Sequence, residues 1–145
     1  MLKGISPLLS PALLAVLSEM GHGDEIVLAD ANFPAASVSE GHRLIRADGI
    51  GISDLLSAIL PLFPLDQYDP ENFILMEVVP GDPCVPVIWD EFRSVLNKHE
   101  PEAVPTMLER QAYYERAKKA FAVVATGERA QYANVILKKG VVYPD

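Results

Sequence analysis

Cysteine occurs once, at Cys84, histidine three times, and lysine plus arginine only 12 times against 20 aspartates and glutamates. A single thiol leaves no intrachain disulfide and no cysteine-built zinc site, and it suits a reducing cytoplasm. The formal charge of -8 argues against a nucleic-acid or anionic-membrane partner, since both call for a basic face. The Lys118-Lys119 and Lys138-Lys139 pairs are too short to reverse that and read as solvated faces. No uninterrupted apolar run reaches the roughly 18 residues of a membrane span. The opening "MLKGISPLLSPALLAVLSEM" is broken by Pro7, Pro11 and Glu19 and shows no small-residue cleavage site, so it reads as structure rather than signal. No glycine-rich phosphate loop follows a strand, and no G-x-S-x-G elbow appears, which disfavours nucleotide binding and serine hydrolysis.

What is present is apolar material in short periodic blocks. With 145 residues, half of them hydrophobic, residues 1–145 suffice for one domain with its own core. Ser10 and Pro11 start a helix as cap and first residue, and Gly21 stops it. "EIVLA", Glu25 to Ala29, reads as a buried strand ending at Asp30. A Pro/Ser/Gly-containing loop leads to the strand "RLIRADG" and then to the helix "SDLLSAIL", capped by Ser53 and stopped by Pro61. "NFILMEVV" is a strand, and Val87 to Asn97 an amphipathic helix with Trp89, Phe92 and Val95. "KHEPEAVP" reads as a loop, followed by a short strand near Met107, the helix "QAYYERAKKA" and the strands "FAVVAT" and "ANVILK". Strands alternating with helices predict an α/β layered domain.

Such sheets gather ligand groups in the loops at strand ends, which draws attention to Asp30 and to Glu128 through Asn134. Tyr132 and Asn134, two apart, would share a face if the last strand begins that early. An amide and a phenol together suit a polyhydroxylated ligand. His22, between two glycines just past a helix, would feel the negative end of the helix dipole, which favours an imidazolium proton donor. The alternative is a histidine that merely caps the helix through a terminal carbonyl. His42 and His99 fall in polar loops and read as solvated. His22, Asp24 and Asp30 are candidate metal ligands close in sequence, but no second histidine stands at helical spacing, so no metal is expected. Arg110 alone could be a solvated charge, and Tyr113 and Tyr114 packing residues.

The stretches "MGHGDEIVLADANFP", "IRADG", "SDLLSAILPLFPLDQY" and "YYERAKKAFAVVATGERAQYANVILKKG" together resemble the L-fucose mutarotase branch of the family shared with D-ribose pyranase. The resemblance covers nearly the whole chain and is weakest at "SVSEGHRL" and Pro80 to Pro105. It implies a three-layer α/β/α domain with a mixed, mostly parallel sheet, assembled into a ring-like homo-oligomer, a decamer, with sites near subunit contacts. It implies His22 as proton donor and Asp30, Arg110, Tyr132, Ala133 and Asn134 as sugar contacts, Ala133 through its backbone. A histidine tends to stand at the Arg110 position in the ribose branch, which favours fucose here. The implied reaction is anomer interconversion by acid–base ring opening, needing neither metal nor nucleotide cofactor. A non-catalytic sugar-binding or sensing module, a ribose pyranase activity and a purely structural oligomer subunit are the competing readings.

Overall fold

The computed structural model describes residues 1–145. In chain order the elements are α1 (Pro11–Glu19), β1 (Glu25–Ala29), α2 (Ala35–Val38), β2 (Arg43–Ala47), α3 (Ile52–Ile59), β3 (Phe73–Met76), α4 (Ile88–His99), β4 (Thr106–Leu108), α5 (Arg110–Ala117), β5 (Ala122–Thr126) and β6 (Val135–Lys138). The strands form one sheet in the order β2-β5-β1-β6-β3-β4. Pairing is parallel except along β6, which runs antiparallel to both β1 and β3.

Period-two alternation divides the strand residues between two cores. Ile26, Leu28, Val124, Val135 and Leu137 face α1, α3 and α4, packing with Leu13, Leu55 and Phe92. Val27, Ala29, Val123, Ile136 and Ile74 face α2 and α5, packing with Val38, Tyr113 and Ala117. Both faces are covered, so the strands read as continuous apolar runs and the domain is a three-layer α/β/α sandwich. No helix is long and apolar enough to cross a membrane.

Most expected elements stand where the sequence puts them. Ser10 caps α1 by accepting the Leu13 N–H at 3.1 Å, with Pro11 as its first residue. Three local expectations fail. The loop after Asp30 contains the single-turn helix α2, too short for periodicity to register. Gly51, not Ser53, occupies the cap position of α3, and the acceptor for the Ile52 N–H is the distant Glu128 Oε1 at 3.0 Å. Ser53 instead donates its hydroxyl to Glu91. His99 belongs to the last turn of α4 rather than to a loop.

The direction of β6 has a consequence at the sheet edge. Because β5 and β6 flank β1 with opposite sense, the connection from Gly127 to Asn134 must cross the carboxyl end of β1. That crossing brings distant polar residues together over Asp30.

Candidate active site

Asp30 is 7% exposed, and its Oδ1 accepts the N–H groups of Asn32 and Phe33 at 3.0 and 2.9 Å. Its own N–H donates to Asn134 Oδ1 at 2.7 Å, tying the end of β1 to the start of β6. Burial pushes the Asp30 carboxyl above the ordinary aspartate value, and nearby Glu128 adds to this. The backbone N–H groups of Asn32, Phe33 and Ala133 pull it back. Ala133, fully buried, thus bears on the site through its backbone.

Tyr132 and Asn134 do meet in one cleft, but not by sharing a strand face. The strand begins only at Val135, and Tyr132 has a left-handed backbone with φ 57°, a conformation costly for a bulky residue. The surroundings impose it. Trp89 Nε1 donates to the Tyr132 carbonyl at 2.8 Å, and the Tyr132 hydroxyl donates to Asp82 Oδ2 at 2.6 Å while accepting the Val79 N–H at 3.2 Å. The Tyr132–Asp82 bond raises the phenol pKa and holds Asp82 below the usual aspartate range. Residues of the weakly resembling segment from Pro80 onward therefore hold the site, which the sequence did not signal.

The resulting cleft of about 260 Å³ is lined by Asp30, Phe33, Asp82, Tyr114, Tyr132 and Asn134 among others. It is smaller than the roughly 300–1,000 Å³ common for drug-sized ligands and suits one small polar molecule. Tyr114 stacks on Phe33 with ring centroids 5.3 Å apart and planes 3° apart, and the Arg110 guanidinium lies 5.6 Å from the Tyr114 ring. Arg110, exposed at the start of α5, borders the cleft through that ring rather than lining it. Tyr113, by contrast, is packing, with its ring fully buried on the α5 side of the sheet.

His22 is elsewhere. It precedes β1, so it lies at the opposite sheet edge from Asp30, and β1 alone spans roughly 13 Å at about 3.3 Å per residue. The helix-capping alternative fails, because Lys139 Nζ takes the carbonyls of Leu17 and Met20 at the end of α1. The His22 Nε2 instead lies 2.9 Å from Asp66 Oδ1. A carboxylate accepts, so the shared proton sits on Nε2 and Nδ1 is the nitrogen left for other work. Asp66 is 4% exposed and His22 46%, an arrangement of fixed support and presented ring. Asp66 Oδ1 also accepts the Tyr68 N–H at 3.0 Å, and the Tyr68 ring lies 5.3 Å from the imidazole. Tyr143 in turn donates its hydroxyl to that of Tyr68 at 3.0 Å. Sequence reasoning missed Asp66 and Tyr68; the "PLDQY" stretch that holds them is polar where a helix has just ended, a weak signal.

Asp24, weighed above as a metal ligand, accepts the Gly21 N–H at 2.7 Å and shapes the turn. No three histidine, cysteine or carboxylate side chains gather as a metal site would require. A larger cleft of about 540 Å³ lies near Arg43, Lys119 and Phe121, but Arg43, Arg116 and Lys138 there already pair with Glu19, Glu25 and Asp69. It offers a ligand little free charge.

Sheet order and cleft define a class: an α/β domain that takes a small polar ligand at the carboxyl ends of its strands. The family model for the RbsD / FucU transport protein family matches residues 3–142. The chain belongs to that family. It is 56% identical to a fucose mutarotase of Danio rerio over 149 residues, covering 99% of this chain and 96% of that protein. Among solved structures it is similar to a fucose mutarotase of Streptococcus pneumoniae in complex with L-fucose, at 52% identity and TM-score 0.92, covering 98% of this chain and 100% of that one. A FucU protein of Bifidobacterium longum matches at 49% identity and TM-score 0.95, covering 97% and 100%.

Proposed function

We infer that this chain is a sugar mutarotase, an isomerase that interconverts the α and β anomers of L-fucose. The observation that carries the reading is the 56% identity to a fucose mutarotase over almost the full length of both chains, joined to a small cleft walled by a carboxylate, an amide and a phenol. Ring opening needs one proton delivered to the ring oxygen and one removed from the anomeric hydroxyl, with reclosure on the other carbonyl face. Positioned acid–base groups supply about 10²–10⁴-fold over water, and orientation adds to that. His22, oriented by Asp66, is the donor in this reading. Asp30, Asn134, Tyr132, the Ala133 backbone and Arg110 hold the sugar.

Because His22 and the cleft stand at opposite edges of one sheet, one copy does not complete the site. We assign the missing half to a second copy, whose His22 edge meets the cleft in a closed ring, with the family precedent of a decamer. The exposed Tyr68, whose ring lies 5.3 Å from His22, and Tyr143, hydrogen-bonded to Tyr68, are the surface such a contact would cover. The single cysteine suits a reducing compartment, and we place the protein in the cytoplasm on that ground.

Saturation-transfer NMR of anomer exchange over a panel of reducing sugars tests the function. The expected result is acceleration over buffer, greatest for L-fucose and weaker for D-ribose. Binding of L-fucose with exchange no faster than buffer would make the protein a sugar sensor.

A further inference from the structure

The acceptor of the second proton is the part of ring opening that His22 leaves unassigned, and the Tyr132 hydroxyl bears on it. A phenol has one proton and two acceptor positions. In Tyr132 the proton goes to Asp82 Oδ2 at 2.6 Å, and one acceptor position takes the Val79 N–H at 3.2 Å. What remains toward the cleft is a single lone pair. Tyr132 can therefore only accept from a sugar hydroxyl, never donate to it. Two further contacts hold the pair in place: Asp82 Oδ1 accepts the Cys84 N–H at 2.9 Å, and the Trp89 indole donates to the Tyr132 carbonyl at 2.8 Å. Both side chains line the same cleft as Asp30.

We propose that Tyr132 and Asp82 form a relay that takes the anomeric proton, with Asp82 as the positioning residue acting through the tyrosine. The proposal rests on the mutarotase reading. In ring opening the O1–H proton passes to Tyr132 Oη while the tyrosine's own proton passes to Asp82 Oδ2. The O1–H electron pair becomes the second bond of C1=O1, the C1–O5 bond breaks, and its pair takes the proton from His22. Reclosure on the other carbonyl face runs the same steps backwards, so His22 and Asp82 regain their starting states and no net proton is taken up. The strained backbone of Tyr132 fits a residue whose hydroxyl must meet both the loop carboxylate and the sugar.

The test compares exchange rate and L-fucose affinity in the full-length protein, Asp82→Asn, Tyr132→Phe and the double variant. Asparagine keeps the side-chain volume and an oxygen for the Cys84 N–H, yet presents an amide donor to the phenol, which turns the phenol proton toward the sugar. For Asp82→Asn the relay predicts L-fucose affinity within about threefold of wild type and exchange slower by at least 10-fold, toward the 10²–10⁴-fold typical of general acid–base groups. It also predicts that the double variant is no slower than Tyr132→Phe alone, because both changes break one path. A purely structural Asp82 predicts affinity and exchange moving together, with the two substitutions adding. Asp82→Asn exchanging at the wild-type rate, or additive losses, overturns the relay while leaving the mutarotase reading intact. Failure of the wild-type protein to accelerate exchange would instead overturn the function itself, and the relay with it.

Discussion

At the scale of single residues, the two carboxylates next to the proposed chemistry are buried in different ways. Asp66 is fixed beneath His22 and serves as an acceptor, whereas Asp30 is fixed by backbone N–H groups and pushed upward by burial. The second case has a consequence for stability. A folded-state pKa above the unfolded value means the native protein holds the Asp30 proton more tightly. Asp30 therefore contributes stability that is fully present below the unfolded aspartate pKa and is lost as pH rises through the raised folded value. Asp30→Asn keeps an acceptor for Asn32 and Phe33 and removes the titration. Its melting temperature relative to wild type is expected to climb as pH rises above the ordinary aspartate value of about 3.9, while L-fucose affinity falls. A difference in melting temperature that stays flat above that value would mean the carboxyl titrates alike in both states.

Elements were more legible than their attachments. Strands such as "EIVLA" and "FAVVAT" are recognisable because burial on both faces demands unbroken apolar runs, and Ser10-Pro11 because capping is local chemistry. Ser53 misled for the opposite reason. A hydroxyl near a helix start suggests a cap, but the acceptor for the Ile52 N–H arrives from Glu128, 76 residues away. Likewise the polar residues of the last connection were visible, whereas the turn at Tyr132 depends on Trp89 and Asp82 from a segment with no signature of its own. His22 stands before β1 and Asp30 after it, so the two lie at opposite ends of that strand, a separation that the resemblance alone does not convey.

Glu128 is the element-scale hinge of the site. One carboxylate accepts the N–H of Ile52 through Oε1 and those of Arg129 and Ala130 through Oε2. It thereby fixes α3 to the connection that carries Tyr132. Glu128→Ala is expected to lower unfolding free energy by about 0.5–2 kcal/mol, the range for a lost helix cap. Sugar affinity should fall as well, because the connection loosens over Asp30. Denaturant unfolding and L-fucose titration check both, and a variant equal to wild type in each would remove Glu128 from this role.

For the whole molecule, one crossing organises everything. Reversing β6 within an otherwise parallel sheet brings Asn134 and Tyr132 to the carboxyl edge beside Asp30, and the same reversal sends Lys139 and Gly140 to the opposite edge. There Lys139 seals α1, and a Cβ on Gly140 would stand 2.6 Å from the Leu65 carbonyl oxygen and 2.8 Å from Asp66 Cα. Only glycine lets the chain pass so close to the residue that supports His22. His22 and the Asp30 cleft thus face away from each other across one domain, and the proposed function therefore requires a pair of copies.

Mixed assemblies of two variants test that claim most directly. His22→Ala and Tyr132→Phe, each alone, should slow L-fucose anomer exchange by roughly 10²–10⁴-fold. Co-expressed and purified as mixed oligomers, they should regain exchange, because random mixing pairs an intact His22 with an intact Tyr132 at about a quarter of the contacts. Exchange NMR on the mixture measures the recovery. Mixed oligomers that stay as slow as either variant alone would contradict a site shared between copies.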